Sequence, residues 1–311
     1  MDFDLKTIEY ILKSMKPEEA EEIRKALNRA GLVQKEVTVT RNGKTFVRKQ
    51  WVRVDKDQKK GEKHSEIYHT DKKHKNKNGE YKEQRAKLHE KIISDIMNEC
   101  GKPRPGEKPV AILMGGGSAA GKSTMRDKTL NVMLKERGIK AGIIDADKIK
   151  EALPEFEKFK KIDVNKAAAA THDESSDITK KAIDHAIATK RHFIYDGTMK
   201  SKDKYLKLVD QLKKAGYEIH VYVADVPLDV ALERNKLRGE LTGRLVPDYI
   251  VEASHRGVPG TFEALKDKVD SFQVYDTQTK NPKLIYSNNY IDEKRYQQFL
   301  DKGNVQFRAI N

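Results

Sequence analysis

Apolar residues at helical spacing open the chain: Leu5, Ile8, Ile11, Leu12 and Met15 line one face of a predicted helix. Pro17 starts a second helix. Glu18, Glu19, Glu21 and Glu22 sit near its positive end, Ala20, Ile23, Leu27 and Ala30 form its apolar stripe, and Gly31 closes it. The period then changes to two. The runs 37–40 and 45–47 flank Asn42-Gly43, a pair that accepts the positive φ of a two-residue hairpin turn, and the second strand reaches toward Trp51 and Val54. Residues 55–81 hold almost no apolar positions and are rich in Lys, His, Asn and Gly, which predicts a linker. A helix over 83–99 follows, with Leu88, Ile92, Ile93, Ile96 and Met97 on one side. Gly101, Pro103, Pro105, Gly106 and Pro109 break the chain after it.

From residue 110 onward apolar runs alternate with amphipathic ones. The pattern predicts strands at 110–114, 141–144, 192–195 and 218–223, and helices at 125–137, 179–189, 203–215 and 227–237. Strands separated by helices pair in parallel through crossovers, so the expected fold class is α/β, a mostly parallel sheet with helices on both faces. The predicted domains are a small helical and hairpin extension at 1–57, a basic linker at 58–83 and the α/β domain at 84–311.

Composition narrows this picture. A length of 311 residues, 37% hydrophobic, suffices for one large domain and a smaller one. No stretch approaches 18 consecutive apolar residues, so no membrane span is expected, and the acidic start Met1-Asp2-Phe3-Asp4 lacks the apolar core of a secretory signal. Cys100 is the only cysteine, which rules out an internal disulfide and fits a reducing, cytoplasmic setting. The net charge is +14, and it is spread. Residues 1–107 carry 26 Lys and Arg against 19 Asp and Glu, and the remainder carries 36 against 29. An even excess of that kind fits a solvated surface, a weak affinity for nucleic acid, or a cationic pocket for a phosphorylated molecule. His64, His69 and His74 recur evenly in the linker, but no helix or strand converges them and a metal site there is not expected.

The densest chemistry lies at Gly116-Gly117-Ser118-Ala119-Ala120-Gly121-Lys122-Ser123, followed by Thr124. It matches G-x-x-x-x-G-K-[ST] in full, after an apolar strand and before a predicted helix that ends at Gly138. Glycines let the backbone curl so that its N–H groups point at phosphate oxygens. Lys122 reaches the outer phosphates of a nucleoside triphosphate, and the Ser123 hydroxyl suits Mg²⁺. ATP and Mg²⁺ are therefore the expected cofactors of a P-loop fold. Asp145 and Asp147 close the second strand, where ligands of open α/β sheets bind. One carboxylate there serves as a helix cap, while the other is placed to take a proton from an attacking hydroxyl.

With these blocks the sequence resembles the zeta-toxin kinases. The loop through Ser123-Thr124 is one point of likeness. Asp145-Ala146-Asp147 is another, its second carboxylate the family's catalytic base. Thr171-His172-Asp173-Glu174 is similar to a block that holds a substrate sugar. Asp196-Gly197-Thr198 after an apolar strand, the arginines Arg234 and Arg244, and the runs 273–276 and 283–286 complete the resemblance over residues 108–288. It implies Asp147 as base, Lys122, Arg234 and Arg244 on the phosphates, and Ser123 and Asp145 on the metal. It also implies Glu174, Asp196 and Thr198 on a nucleotide sugar such as UDP-N-acetylglucosamine. Family members often have an antitoxin that blocks the ATP site with a helix; the helix over 17–30 is a candidate for doing so in cis.

Several of these residues also have plainer readings. Glu174 begins a predicted helix, where acids are favoured by the dipole, and Asp177 competes for its role. Thr198 fits a helix cap as well as a substrate contact, Asp196 fits a metal-side acid, and Arg238, between Arg234 and Arg244, stands in reserve. Two other functions are open. A polynucleotide or nucleotide kinase would use the basic stretch 56–91, but Tyr68 and Tyr81 are its only aromatics for base stacking. A non-catalytic ATP-dependent binding module would have no need of Asp147.

Overall fold

The computed structural model describes residues 32–41, 44–53, 67–242 and 245–304. The chain divides into two compact units, residues 1–65 and 66–311. In the first, β1 (Leu32–Arg41) pairs antiparallel with β2 (Lys44–Arg53), and Arg41 lies opposite Lys44. That register leaves a two-residue connection, as the Asn42-Gly43 pair predicts. The helices predicted over 5–15 and 17–30 lie outside the described residues, and with them the candidate cis cover.

The second unit is built on a seven-stranded sheet. Its strands are β3 (Val110–Gly115), β4 (Gly142–Asp145), β5 (Phe193–Asp196), β6 (Glu218–Asp225), β7 (Ser271–Asp276), β8 (Lys283–Ser287) and β9 (Tyr290–Ile291), in the order β4-β5-β3-β6-β7-β8-β9. The first five pair in parallel, and β8 and β9 add antiparallel at one edge. β3 sits inside the sheet and every residue of it is buried. Its side chains sort by the two-residue period. Ala111 and Leu113 join one apolar cluster, and Val110, Ile112 and Met114 join the other on the opposite face. Burying one such side chain is worth about 1.5–3 kcal/mol, so the strand between two helical layers is strongly specified.

In chain order the helices are α1 (Thr70–His74), α2 (Glu83–Glu99) and α3 (Lys122–Met125), which runs through a π-helical turn (Arg126–Leu130) into α4 (Asn131–Glu136). Then come α5 (Ala146–Glu151), α6 (Pro154–Lys160), α7 (Val164–Ala170) and α8 (His172–Ala188). The last are α9 (Lys202–Lys214), α10 (Leu228–Thr242), α11 (Asp248–Leu265) and α12 (Glu293–Asn304). No helix among the described residues is long and apolar enough to cross a membrane. Apolar faces of α2, α8, α9 and α12 cover one side of the sheet, and Met125, Leu130 and Leu134 cover the other.

The linker predicted at 58–83 needs correction. Residues 67–83 belong to the α/β unit. Tyr68 packs edge-on against Phe159 at 5.0 Å, and Thr70 is fully buried with its hydroxyl on the Ala170 carbonyl. Lys75 Nζ and Tyr81 OH both donate to Asp177 Oδ2, at 2.7 and 2.8 Å. Polar residues dock this segment by pairing with acids far along the chain, which a hydropathy pattern does not register. α11 likewise runs on through Gly257, Pro259 and Gly260, residues that disfavour a helix interior, because packing supplies Val258, Phe262 and Leu265 to the core.

Candidate active site

A cavity of about 780 Å³ opens at the C-terminal ends of β3, β4 and β5. The chain leaves β3 toward β4 and β5 on one side and later returns to β6 on the other, and a sheet opens a crevice at such a switch. Residues 119–124 form one wall. The backbone between β3 and α3 takes positive φ at Gly116 (136°), Ala119 (60°) and Gly121 (82°), which curls it into a concavity of N–H groups. Ala119 holds this conformation despite its Cβ, a strained state kept by the surrounding loop. Gly116 N–H donates to Thr198 O, and Thr277 Oγ1 donates to Ala120 O, so the loop is tied to the ends of β5 and β7. Lys122 Nζ bends back to Gly116 O at 3.3 Å. The first N–H groups of α3 follow directly, with no partner inside the helix.

The opposing wall carries carboxylates. Asp145 caps α5: its Oδ1 accepts the Asp147 N–H at 2.8 Å. Asp147 sits in the first turn, half-exposed, with Lys150 Nζ on its Oδ1 at 2.9 Å. Asp196 lies beside Asp145 across the β4–β5 ladder and pairs with Arg126 at 3.2 Å. Burial pushes the Asp196 carboxyl up from its usual range; Lys122 opposes this, and the nearby Asp145 and Asp147 reinforce it. Three acids and Lys122 thus share one crevice.

Arg234 and Thr198 also line the cavity. Arg234 Nη2 donates to the carbonyls of Thr277 and Gln278, at 2.9 and 2.8 Å, which aims the guanidinium beside Gly121. Arg244 lies outside the described residues. The segment after it is anchored, because Asn235 exchanges two hydrogen bonds with Val246, and Arg238 Nη2 holds the Asn235 oxygen.

A profile of the Zeta toxin family matches residues 94–290. The chain belongs to the Zeta toxin family. A curated relative, Toxin zeta of Enterococcus hirae, is 26% identical over 141 residues, a match spanning 45% of this chain and about half (48%) of that protein. Among solved structures, one from the PezAT chromosomal toxin-antitoxin system of Streptococcus pneumoniae aligns with a TM-score of 0.55 at 16% identity, covering 72% of this chain and 96% of that one. A chain of the AvrRxo1-ORF1:AvrRxo1-ORF2 structure with sulphate ions aligns with a TM-score of 0.57 at 15% identity, covering 76% and 77%. The same complex with ATP gives 0.55 at 14%, covering 75% and 77%. At these identities the structures establish the fold.

Of the residues expected at the site, Gly116, Gly117 and Ser118 lie outside the cavity lining, and one acid departs from its expected place. Glu174, expected on the substrate, is fully buried behind the cavity wall. Its two oxygens take Arg85 Nε at 2.6 Å and Arg85 Nη2 at 2.9 Å, and His89 Nε2 sits at 2.6 Å. Burial alone would raise this carboxyl, but the His89 and Arg85 hydrogen bonds outweigh it and hold it down at about 2. Asp177, its competitor, is taken by Lys75 and Tyr81. Of that block it is His172 that lines the cavity, joined from the same helix by Ser176. Burial, then the nearby Lys150, lowers the His172 imidazole below its ordinary value and favours the neutral ring. Lys150, Lys200 and Lys204 complete a cationic lining that sequence reasoning missed. Lys150 was accessible from spacing, three residues beyond Asp147 on a helix that the paired aspartates announce. Nothing local marks Lys200 and Lys204.

Proposed function

We propose that this protein is an ATP-dependent phosphotransferase whose acceptor is a sugar hydroxyl of a nucleotide sugar, of the UDP-N-acetylglucosamine class. The observation that carries the reading is the shared cavity: a curled loop of backbone amides with Lys122 on one wall, and Asp147 at the neighbouring strand's end on the other. The donor set fits MgATP. The amide concavity and the start of α3 suit phosphate oxygens, and the Ser123 hydroxyl and Asp145 are hard oxygen donors for Mg²⁺. Bound there, the metal would offset charge on the outer phosphates.

In the proposed reaction Asp147 accepts the proton of the acceptor hydroxyl. The hydroxyl oxygen bonds to the γ-phosphorus as the bond from that phosphorus to the bridging oxygen breaks, and ADP leaves with the electron pair. Lys122, Arg234 and Arg244 steady the transferred charge. Thr198 and His172 contact the acceptor, with Asp196 beside them. The cationic wall of Lys150, Lys200 and Lys204 supports an acceptor that carries phosphates. An antitoxin-type protein partner is proposed on the family relationship, and with it a toxic outcome of the activity.

The deciding experiment incubates the protein with labelled ATP and, in parallel, UDP-sugars and 5'-hydroxyl oligonucleotides. Label on a UDP-sugar supports the reading. Label on the oligonucleotide alone replaces it with a polynucleotide kinase, and label on neither across a whole metabolite extract leaves a binding module. Expression of wild-type protein should arrest growth where the Asp147→Asn variant does not; equal toxicity of the two would separate toxicity from transfer.

A further inference from the structure

Ser118 stands at the third position of the phosphate loop, and both of its main-chain polar groups are engaged from a helix well over a hundred residues away. Its N–H donates to Ser254 Oγ at 2.8 Å, and that hydroxyl passes its own hydrogen to Val251 O at 2.7 Å. Its carbonyl lies 2.9 Å from His255 Nε2. A carbonyl only accepts, so the ring donates from Nε2. Both side chains are almost fully buried, at 3% and 2% exposure, and neither lines the cavity. The His255 ring also rests on Gly117 so closely that a Cβ there would overlap ring atoms Cδ2 and Nε2. The glycine at this second position of the loop, where the motif admits any residue, therefore answers to the histidine behind it.

We propose that Ser254 and His255 are positioning residues of the phosphate loop: by holding Ser118 from behind, they set the direction in which the amides from Ala119 onward face a triphosphate. Ser118, expected among the ATP-binding residues, then contributes to the loop's shape and does not donate its N–H to phosphate. The hand-off occurs at Ala119, where the chain turns to φ 60°. A two-point grip just before this strained residue prevents it from relaxing and rotating the following amides away from the ligand. Burial weighs against a charge on the ring and lowers the His255 imidazole, leaving a neutral donor fixed in one tautomer. The inference rests on the proposed function for the identity of the ligand, but it concerns only triphosphate binding and not the acceptor.

The experiment measures equilibrium binding of inorganic triphosphate and of MgATP to the full chain, together with KM for ATP and kcat. Triphosphate is used because it contacts the loop and lacks the base and ribose. Ser254→Ala and His255→Leu should weaken both ligands by a similar factor of about tenfold, the effect of one buried hydrogen bond whose partner is left unpaired. KM for ATP should rise while kcat at saturating ATP changes by less than about threefold. His255→Gln, which offers an amide donor near the Nε2 position, should restore most of the affinity, and Gly117→Ala should reproduce the leucine variant. Melting temperatures check that each variant is folded. Three results would overturn the proposal: triphosphate binding unchanged in Ser254→Ala and His255→Leu, a loss for MgATP but not for triphosphate, or no recovery with glutamine. Wild-type protein that binds triphosphate yet labels no acceptor would defeat the proposed function and leave this brace standing. Variants that match an active wild type would do the reverse.

Discussion

One wall of the cavity is main chain and the other is side chain. The phosphate wall is a curl of amides at Gly116, Ala119 and Gly121, braced by Thr198, Thr277, Ser254 and His255. The facing wall is carried by α5 and α8, and α8 is fixed by a buried ionic knot. There Arg85 bridges Glu174 and Glu155, His89 joins Glu174, and His74 joins Glu155. An amide curl suits an invariant ligand, since every triphosphate presents the same oxygens. A wall of long side chains can change with its ligand, at the risk that one lost partner leaves a charge buried and unpaired.

The largest test of this contrast is Asp147→Asn. Transfer should fall about 10²–10⁴-fold, the usual contribution of a general base, while the dissociation constant for ATP stays within about twofold. ATP binding that fails together with transfer would show the two walls to be one unit. Next comes Arg85→Met, which leaves the fully buried Glu174 without its guanidinium. Urea unfolding should register a loss of about 3–5 kcal/mol, and Arg85→Met with Glu174→Gln should recover part of it because the amide brings no charge. Should the double variant be no better than the single one, the knot is held by packing and not by charge.

The same knot makes a pH prediction. Glu174 has its carboxyl held down at about 2 in the folded chain against 4.5 in the unfolded one, and Glu155 is lowered too, its Arg85 and His74 hydrogen bonds overcoming burial. A depressed carboxyl stabilises the fold above its unfolded value, and that contribution drains away as pH falls from 4.5 toward 2. Unfolding midpoints should therefore drop across this window in the wild type and less steeply in Glu174→Gln. Equal slopes would mean that the acids concerned lie elsewhere. The smallest expected effect is on the other wall. Ala119→Gly relieves a left-handed backbone but gives the unfolded chain more freedom, so stability should rise by less than about 1 kcal/mol in a thermal melt. A clear loss would mean that the Ala119 methyl supports the loop by packing.

Much of the phosphate wall was legible in the chain because its cues are local. The apolar run at 110–114, the glycines, the lysine and the following helix lie within about 30 residues, and the hairpin and the paired aspartates are just as compact. The alternation from residue 110 likewise announced the mostly parallel sheet. Two expectations on the facing wall needed revision. Glu174 resembles a substrate acid by position yet turns inward, because Arg85 and His89 reach it from α2. The stretch 67–83 looked like linker because it docks largely through Lys75, Tyr81 and Thr70, with only Ile67 and Tyr68 packed against the apolar core.

By itself the amino-acid order determined the strand-loop-helix with its curled backbone, the two aspartates beside it and the class of fold, since these follow from backbone freedom, burial of apolar runs and capping within a few residues. Only the tertiary structure decided which acid faces the cavity and which is buried, that Lys150, Lys200 and Lys204 converge there, and that a serine and a histidine on α11 grip the loop from behind. Those outcomes depend on which long side chains meet across packed elements, and packing brings together residues such as Ser118 and His255 that no local pattern connects.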